Sequence, residues 1–165
     1  MGNYIARMSP PLYAAATLTP ENSIGLLMKR ALQSIVHQVD RALQSRDLTH
    51  AQWVPLYWLA RGECGTLAEL ARGAALDPGA LTRALDRLEA KGLVLRERSR
   101  TDRRVVEIEL TAAGREAAAC VPPVLAEVLN AHLAGFSEEQ WHQLVGFLQR
   151  LVANGAAMRE AQGAA

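Results

Sequence analysis

The sequence predicts a mainly helical α+β fold, a winged helix-turn-helix set between long N- and C-terminal helices. Three observations predict it. Apolar side chains recur at helical spacing over residues 24–43 and again over 141–152. Between these stretches, two shorter helix signals meet at a tight turn near residues 73–76. A strictly alternating strand, "VEIEL" at 106–110, then follows a segment with arginines at 96, 98, 100, 103 and 104.

Residues 1–20 predict an extended, partly ordered arm. The first helix begins near Glu21, and Ile24, Leu27, Met28, Ala31, Leu32, Ile35, Val36, Val39 and Leu43 form its stripe. It runs to about Arg46, roughly seven turns. Thr49 followed by Gln52 predicts an N-cap and a second helix that presents Trp53, Leu56, Tyr57 and Ala60 on one face, with a bend at Pro55. "TLAE" at 66–69 is another capping box and opens a short helix ending at Gly73. Asp77 caps the next helix, with Pro78 at its first position and Gly92 as its stop. Its buried side is Leu81, Ala84, Leu85 and Leu88. Residues 93–98 and 104–110 then pair as a hairpin, in which Val106, Ile108 and Leu110 face one way and Glu107 and Glu109 the other. From Thr111 a long helix is expected, kinked at Pro122–Pro123. "SEEQ" at 137–140 caps the last helix, whose stripe is Trp141, Leu144, Val145, Leu148, Leu151 and Val152.

Bulk properties narrow the function. Half of the 165 residues are apolar, enough to bury a core, and the longest apolar runs are too short to span a bilayer. "PPLYAAATL" lacks a charged start and a cleavage site, so no signal peptide is read from it and a cytoplasmic location is expected. Cys64 and Cys120 are too far apart to suggest a metal pair, and the four histidines are dispersed. There is no P-loop, G-x-S-x-G or H-E-x-x-H, so no enzymatic activity, metal or cofactor is expected. The formal charge is only +1, yet residues 83–104 hold eight basic and four acidic side chains. That window carries +4 and the remainder −3, the local imbalance that a polyanion meets.

The order of elements, together with "LTHAQW" and "LTRALDRLEAKGLVLRERSRTDRRVVEIELTAAG", resembles the MarR family of bacterial transcription regulators. The resemblance spans about residues 21–158 and is most specific over 81–114, where "LDRLEAKGLV", a D-x-R tip and "LTAAG" follow in order. It implies a homodimer on a pseudo-palindromic double-stranded DNA operator, with dimerisation through the terminal helices and release by small aromatic acids or phenols. The corresponding division is an arm at 1–20, a dimerisation region at 21–46 and 111–160, and a DNA-binding lobe at 47–110.

On that footing, Gly79, Ala80, Thr82, Arg83, Asp86 and Arg87 form the outer face of the recognition helix. Small residues at 79 and 80 admit close approach, Arg83 suits guanine, and Arg87 suits a phosphate or pairing with Asp86 or Glu89. Arg98, Arg100, Arg103 and Arg104 are the wing's DNA candidates. The resemblance gives Arg104 a place in the minor groove with Asp102 as its brace, which lowers the entropy of ordering the arginine. Arg96 and Arg98 have a second reading, pairing across the hairpin with Glu107 or Glu109. For the effector, His37, Trp53, Tyr57 and Trp58 are expected to line a cavity between the first two helices and the lobe, with Arg41 or Arg72 meeting a carboxylate. Two alternatives stand beside this: a thiol-oxidation sensor acting through Cys64, and a winged-helix protein-interaction module that binds no DNA.

Overall fold

The computed structural model describes residues 11–62, 65–98 and 105–163. The chain divides into two compact units, residues 1–122 and 123–165. Helix α1 spans Ile24–Leu43, capped by the Ser23 hydroxyl. Of the expected arm, residues 1–10 lie outside the described residues, and residues 11–23 turn back on themselves ahead of the helix. The Tyr13 hydroxyl donates to the Asn22 carbonyl at 2.6 Å and accepts from the Ile24 amide at 3.1 Å, while the Asn22 side chain holds Thr17 and Thr19. A short 3-10 turn over Gln44–Arg46 and a left-handed Asp47 (φ 52°) lead into α2, His50–Ala60. Gln52 reaches back to the Thr49 amide at 3.3 Å, as the capping pattern predicts.

Helix α3 spans Leu67–Gly73 and α4 spans Pro78–Ala90. The Asp77 carboxylate accepts from the Ala80 amide at 2.8 Å, and Pro78 sits where its missing N–H costs nothing. The turn between them relies on Ala75, a non-glycine residue at φ 51°. Strands β1, Val94–Arg98, and β2, Val106–Leu110, pair antiparallel, Val94 opposite Leu110 and Arg98 opposite Val106. Gly65–Thr66 lies along the other edge of β2. The Ile108 amide donates to the Gly65 carbonyl at 2.7 Å, so the start of α3 is itself stitched to the wing.

The core of this unit is aliphatic. Leu43, Leu56, Leu70, Leu81, Leu85, Leu88, Val94 and Val121 are all but fully buried, each contributing about 1.5–3 kcal/mol from removal of apolar surface from water. Leu81, Ala84, Leu85 and Leu88 are the predicted buried side of α4. Of the predicted inward set on β2, Ile108 is buried, Leu110 is half-buried and Val106 is exposed, because β2 leaves the core toward its N-terminal end.

The single kinked helix expected after Thr111 is two helices: α5, Ala112–Ala119, and α6, Val121–His132, with the break at Cys120. Pro122 and Pro123 occupy the first turn of α6, where backbone N–H groups have no intrahelical partner anyway. They start a helix rather than bend one. Helix α7 runs Glu138–Gly163 after the predicted Ser137–Gln140 capping box, whose reciprocal bonds are 2.9 and 3.2 Å.

Thr111 binds the end of the wing to the start of α5. Its amide donates to the Leu93 carbonyl at 3.1 Å, its hydroxyl donates to the Gly92 carbonyl at 2.7 Å and accepts from the Gly114 amide at 2.9 Å. A Cβ on Gly114 would overlap the Leu93 carbonyl, with backbone on both sides of the clash. Gly114→Ala is therefore expected to cost about 3 kcal/mol through forced backbone displacement, read as a lower urea midpoint at unchanged slope.

Candidate nucleic-acid interface

Helix α4 buries one face and presents the other. Gly79, Ala80, Thr82, Arg83, Asp86 and Arg87 are all exposed. A Cβ on Gly79 would lie 3.3 Å from the Asp77 carboxylate and 3.8 Å from Arg83 Nη1, so the Arg83 guanidinium lies back over the first turn of the helix. The Thr82 hydroxyl donates to the Pro78 carbonyl at 2.8 Å. Among the described residues, no ion pair or hydrogen bond engages Arg83 or Arg87. The sequence-based pairing of Arg87 with Asp86 or Glu89 is absent, because Arg96 takes both carboxylates.

On the wing, Arg98 is exposed at the end of β1. The register sets Arg96 opposite Ile108 and Arg98 opposite Val106, so neither arginine crosses the hairpin to Glu107 or Glu109. Arg96 instead turns to α4, 2.7 Å from Asp86 and 3.6 Å from Glu89. Glu97 stands opposite Glu107, and Leu95 opposite Glu109, making the other face of the ribbon acidic. Arg100, Asp102, Arg103 and Arg104 lie outside the described residues, as does Cys64.

Sequence reasoning missed the link that holds the far end of α4. The Lys91 ammonium donates to the Asp47 carbonyl, sits 2.9 Å from the Asp47 carboxylate and reaches Gln52 at 3.4 Å. Lys91 lies 44 residues from Asp47, so no local pattern signals the contact. The left-handed Asp47 backbone aims its carbonyl there.

Of the six effector candidates, His37 and Arg41 lie on α1, Trp53, Tyr57 and Trp58 on α2, and Arg72 on α3. Trp53 is only 7% exposed, and its Nε1 donates to the Asp40 carboxylate at 2.8 Å. Tyr57 and Trp58 are half-buried, with the Arg61 guanidinium 5.9 Å from the Tyr57 ring centre. His37 and Arg41 are exposed on α1, and Arg72 on α3. An open cavity of about 480 Å³ lies between α2, β2 and α5. It is lined by Leu59, Ala60, Ile108, Leu110, Arg115 and Ala119 and contains none of the six. Arg115, which sequence reading did not single out, donates to the Leu110 carbonyl at 2.7 Å at its rim. The Cys120 thiol, at the C-terminal cap of α5, contacts the Glu116 carbonyl one turn back at 3.4 Å. Among the described residues no cluster of His, Cys, Asp or Glu is suited to a metal, and no helix is long and apolar enough to cross a membrane.

A helix-turn-helix whose second helix shows a cationic outer face, followed directly by a two-stranded wing, defines a winged helix-turn-helix transcription regulator. The chain belongs to the MarR family. The family's model matches residues 48–106, from the end of the α1–α2 joint into β2. An uncharacterized HTH-type transcriptional regulator of Bacillus subtilis, YdcH, is 31% identical over 125 residues, covering 73% of this chain and 85% of that protein. The solved structure of transcriptional regulator PA3341 is 32% identical, covers 82% of this chain and 99% of its own, and superposes with a TM-score of 0.74. BpsR of Bordetella bronchiseptica, 24% identical over 82% of this chain and 96% of its own, shares the fold at a TM-score of 0.73.

The short helix that starts this interface carries a pH-sensitive cap. Glu69 accepts from the Gly65 and Thr66 amides, both at 3.0 Å, and these bonds hold its carboxyl below the usual carboxylate range, Gly65 contributing most. A pKa lowered by folding adds stability above the unfolded value and loses it as pH falls through the folded one. Glu69→Gln is expected to lower stability at neutral pH and to flatten the acid limb of the stability curve, measured by urea unfolding from pH 7 to pH 3.

Proposed function

We propose that the protein binds a pseudo-palindromic double-stranded operator as a homodimer, acts as a repressor, and leaves DNA when a small aromatic acid or phenol binds. The carrying observation is the exposed face of α4. It has two glycine- or alanine-sized positions at its N-terminal half and two arginines with no partner among the described residues, while its opposite face is sealed in the core. That half of the helix enters the major groove, Arg83 reads a base edge, and Arg87, Arg98, Arg100 and Arg103 meet phosphates. Arg104, braced by Asp102, enters the minor groove.

The homodimer is supported by apolar side chains that one chain leaves in water. On α1 these include Leu27, Met28 and Leu32, and on α7 Trp141, Leu144, Phe147, Leu148 and Leu151, with Leu32 59% and Phe147 54% exposed. Stripes of this kind are buried most simply by a two-fold copy of the same surface. The proposed division therefore keeps 21–46 and 111–160 for dimerisation and 47–110 for DNA. For the effector, the support is that BpsR, which shares this fold, has its DNA binding regulated by 6-hydroxynicotinic acid. His37, Arg41, Trp53, Tyr57, Trp58 and Arg72 remain the proposed contacts.

Fluorescence anisotropy with operator duplexes tests the DNA reading. Arg83→Ala is expected to lose about 1–3 kcal/mol and to relax discrimination at one base position. Arg98→Ala is expected to weaken all sequences alike and to reduce the log–log salt slope by about one. Binding that is indifferent to salt would point to the protein-interaction module. Leu148→Glu is expected to convert the sedimenting species from dimer to monomer; a monomeric parent protein would refute the homodimer. Addition of 6-hydroxynicotinic acid or salicylate to the complex tests release directly.

A further inference from the structure

Arg96 is not placed like the other arginines of the basic window. Its side chain is 23% exposed, and it spans the gap between β1 and α4. One terminal nitrogen, Nη2, serves both the Asp86 carboxylate at 2.7 Å and the Thr82 carbonyl at 3.4 Å. Nε is buried, makes no hydrogen bond, and lies 3.6 Å from Glu89. Thr82, Asp86 and Glu89 recur at four and three residues, so they form one stripe along α4, and Arg96 lies against all three turns. A guanidinium used in this way has a buried Nε that no phosphate reaches.

We propose that Arg96 is a positioning residue for DNA recognition. It fixes the wing at one distance and angle from the recognition helix, and it neutralises two carboxylates on a helix that must approach phosphates. This rests on the DNA reading above. The stabilising value of such partly exposed ion pairs is small, so the role is geometric rather than structural. The wing and α4 must meet adjacent grooves at once, and DNA contacts depend on register. Among the described residues, the other ties between them run through the backbone at residues 91–94, the apolar contacts at the base of the ribbon and the Thr111 hydroxyl on the Gly92 carbonyl. Asp86, exposed on the same helix, is accordingly withdrawn from base reading.

The test compares two variants with opposite changes in charge. Arg96→Gln removes a cation, and the double variant Asp86→Asn with Glu89→Gln removes two anions. Positioning predicts the same defect in both: retained fold by circular dichroism, about tenfold weaker operator binding, and a hydroxyl-radical footprint that keeps the major-groove segment but loses the flanking protection from the wing. Tighter binding by the double variant, with weaker binding and a salt slope lowered by about one in Arg96→Gln, would make Arg96 a phosphate contact and overturn the proposal. So would flanking protection that survives in both variants. A second readout needs no DNA: amide hydrogen exchange along β1 and β2 in the free protein is expected to accelerate in both variants. Unchanged exchange in both would overturn the clamp itself, whereas failure of the parent protein to bind any duplex, with exchange accelerated as expected, would overturn only the DNA reading.

Discussion

The Leu93 carbonyl is the point on which the DNA-binding unit turns. It accepts from the Thr111 amide, it lies against the bare Cα of Gly114, and it follows directly on the left-handed Gly92 (φ 68°) that stops α4. Three elements meet there within a few residues: the end of the recognition helix, the base of the wing and the start of α5. A backbone carbonyl at such a junction must find a donor, and Thr111 supplies it through its amide, while its hydroxyl proton goes to the neighbouring Gly92 carbonyl. Gly114 is fixed by space rather than by dihedral freedom, since a side chain there has nowhere to go. The wing therefore leaves the helix at a defined angle before any side chain on its outer half is considered.

From that junction outward, control passes from backbone to charge. The C-terminal end of α4 is tied through Lys91 to the Asp47 joint between α1 and α2. Its middle is tied through Arg96 to β1. Both are partly exposed ion pairs and contribute little to stability, but the Lys91 pair joins elements far apart in sequence and the Arg96 pair spans two that are otherwise hinged at residues 91–93. The Lys91 link gives α1 a route to the recognition helix that runs through an ordered polar contact.

Most of the fold was legible because its signals are local. Capping residues at Thr49, Thr66, Asp77 and Ser137, the stop at Gly92 and the apolar stripe of α4 each act within a few positions, and each folds as the pattern dictates. Departures arise where the deciding partner is distant or the signal is ambiguous. A proline pair is compatible with a kink or with a helix start, and the helix break at Cys120 selected the start. Ala75 takes a left-handed conformation that its identity does not advertise. The candidate interface shows the same division. The outer face of α4 follows from its helical period, whereas the partners of Arg96 and Lys91 depend on tertiary placement. Among the effector candidates, Trp53 has a partner that no local pattern signals: its indole N–H donates to Asp40, thirteen residues away on α1, and its ring is buried.

Charge on the wing is sorted by the two-residue period of its strands. One face carries Arg96 and Arg98 with Val94 and Ile108, and the other carries Leu95, Glu97, Glu107 and Glu109. Glu97 directly opposite Glu107 is an unfavourable pairing in isolation. Solvent screening softens it at an exposed site, and burial of Val94 and Ile108 anchors the register regardless. A one-residue slip would exchange the faces and put carboxylates where the arginines stand. The register that buries Val94 and Ile108 therefore also decides which face is cationic. The hydrophobic anchoring of the ribbon and the direction in which it presents its charge are one constraint, and a duplex approaching from the acidic side would meet repulsion rather than a second binding mode.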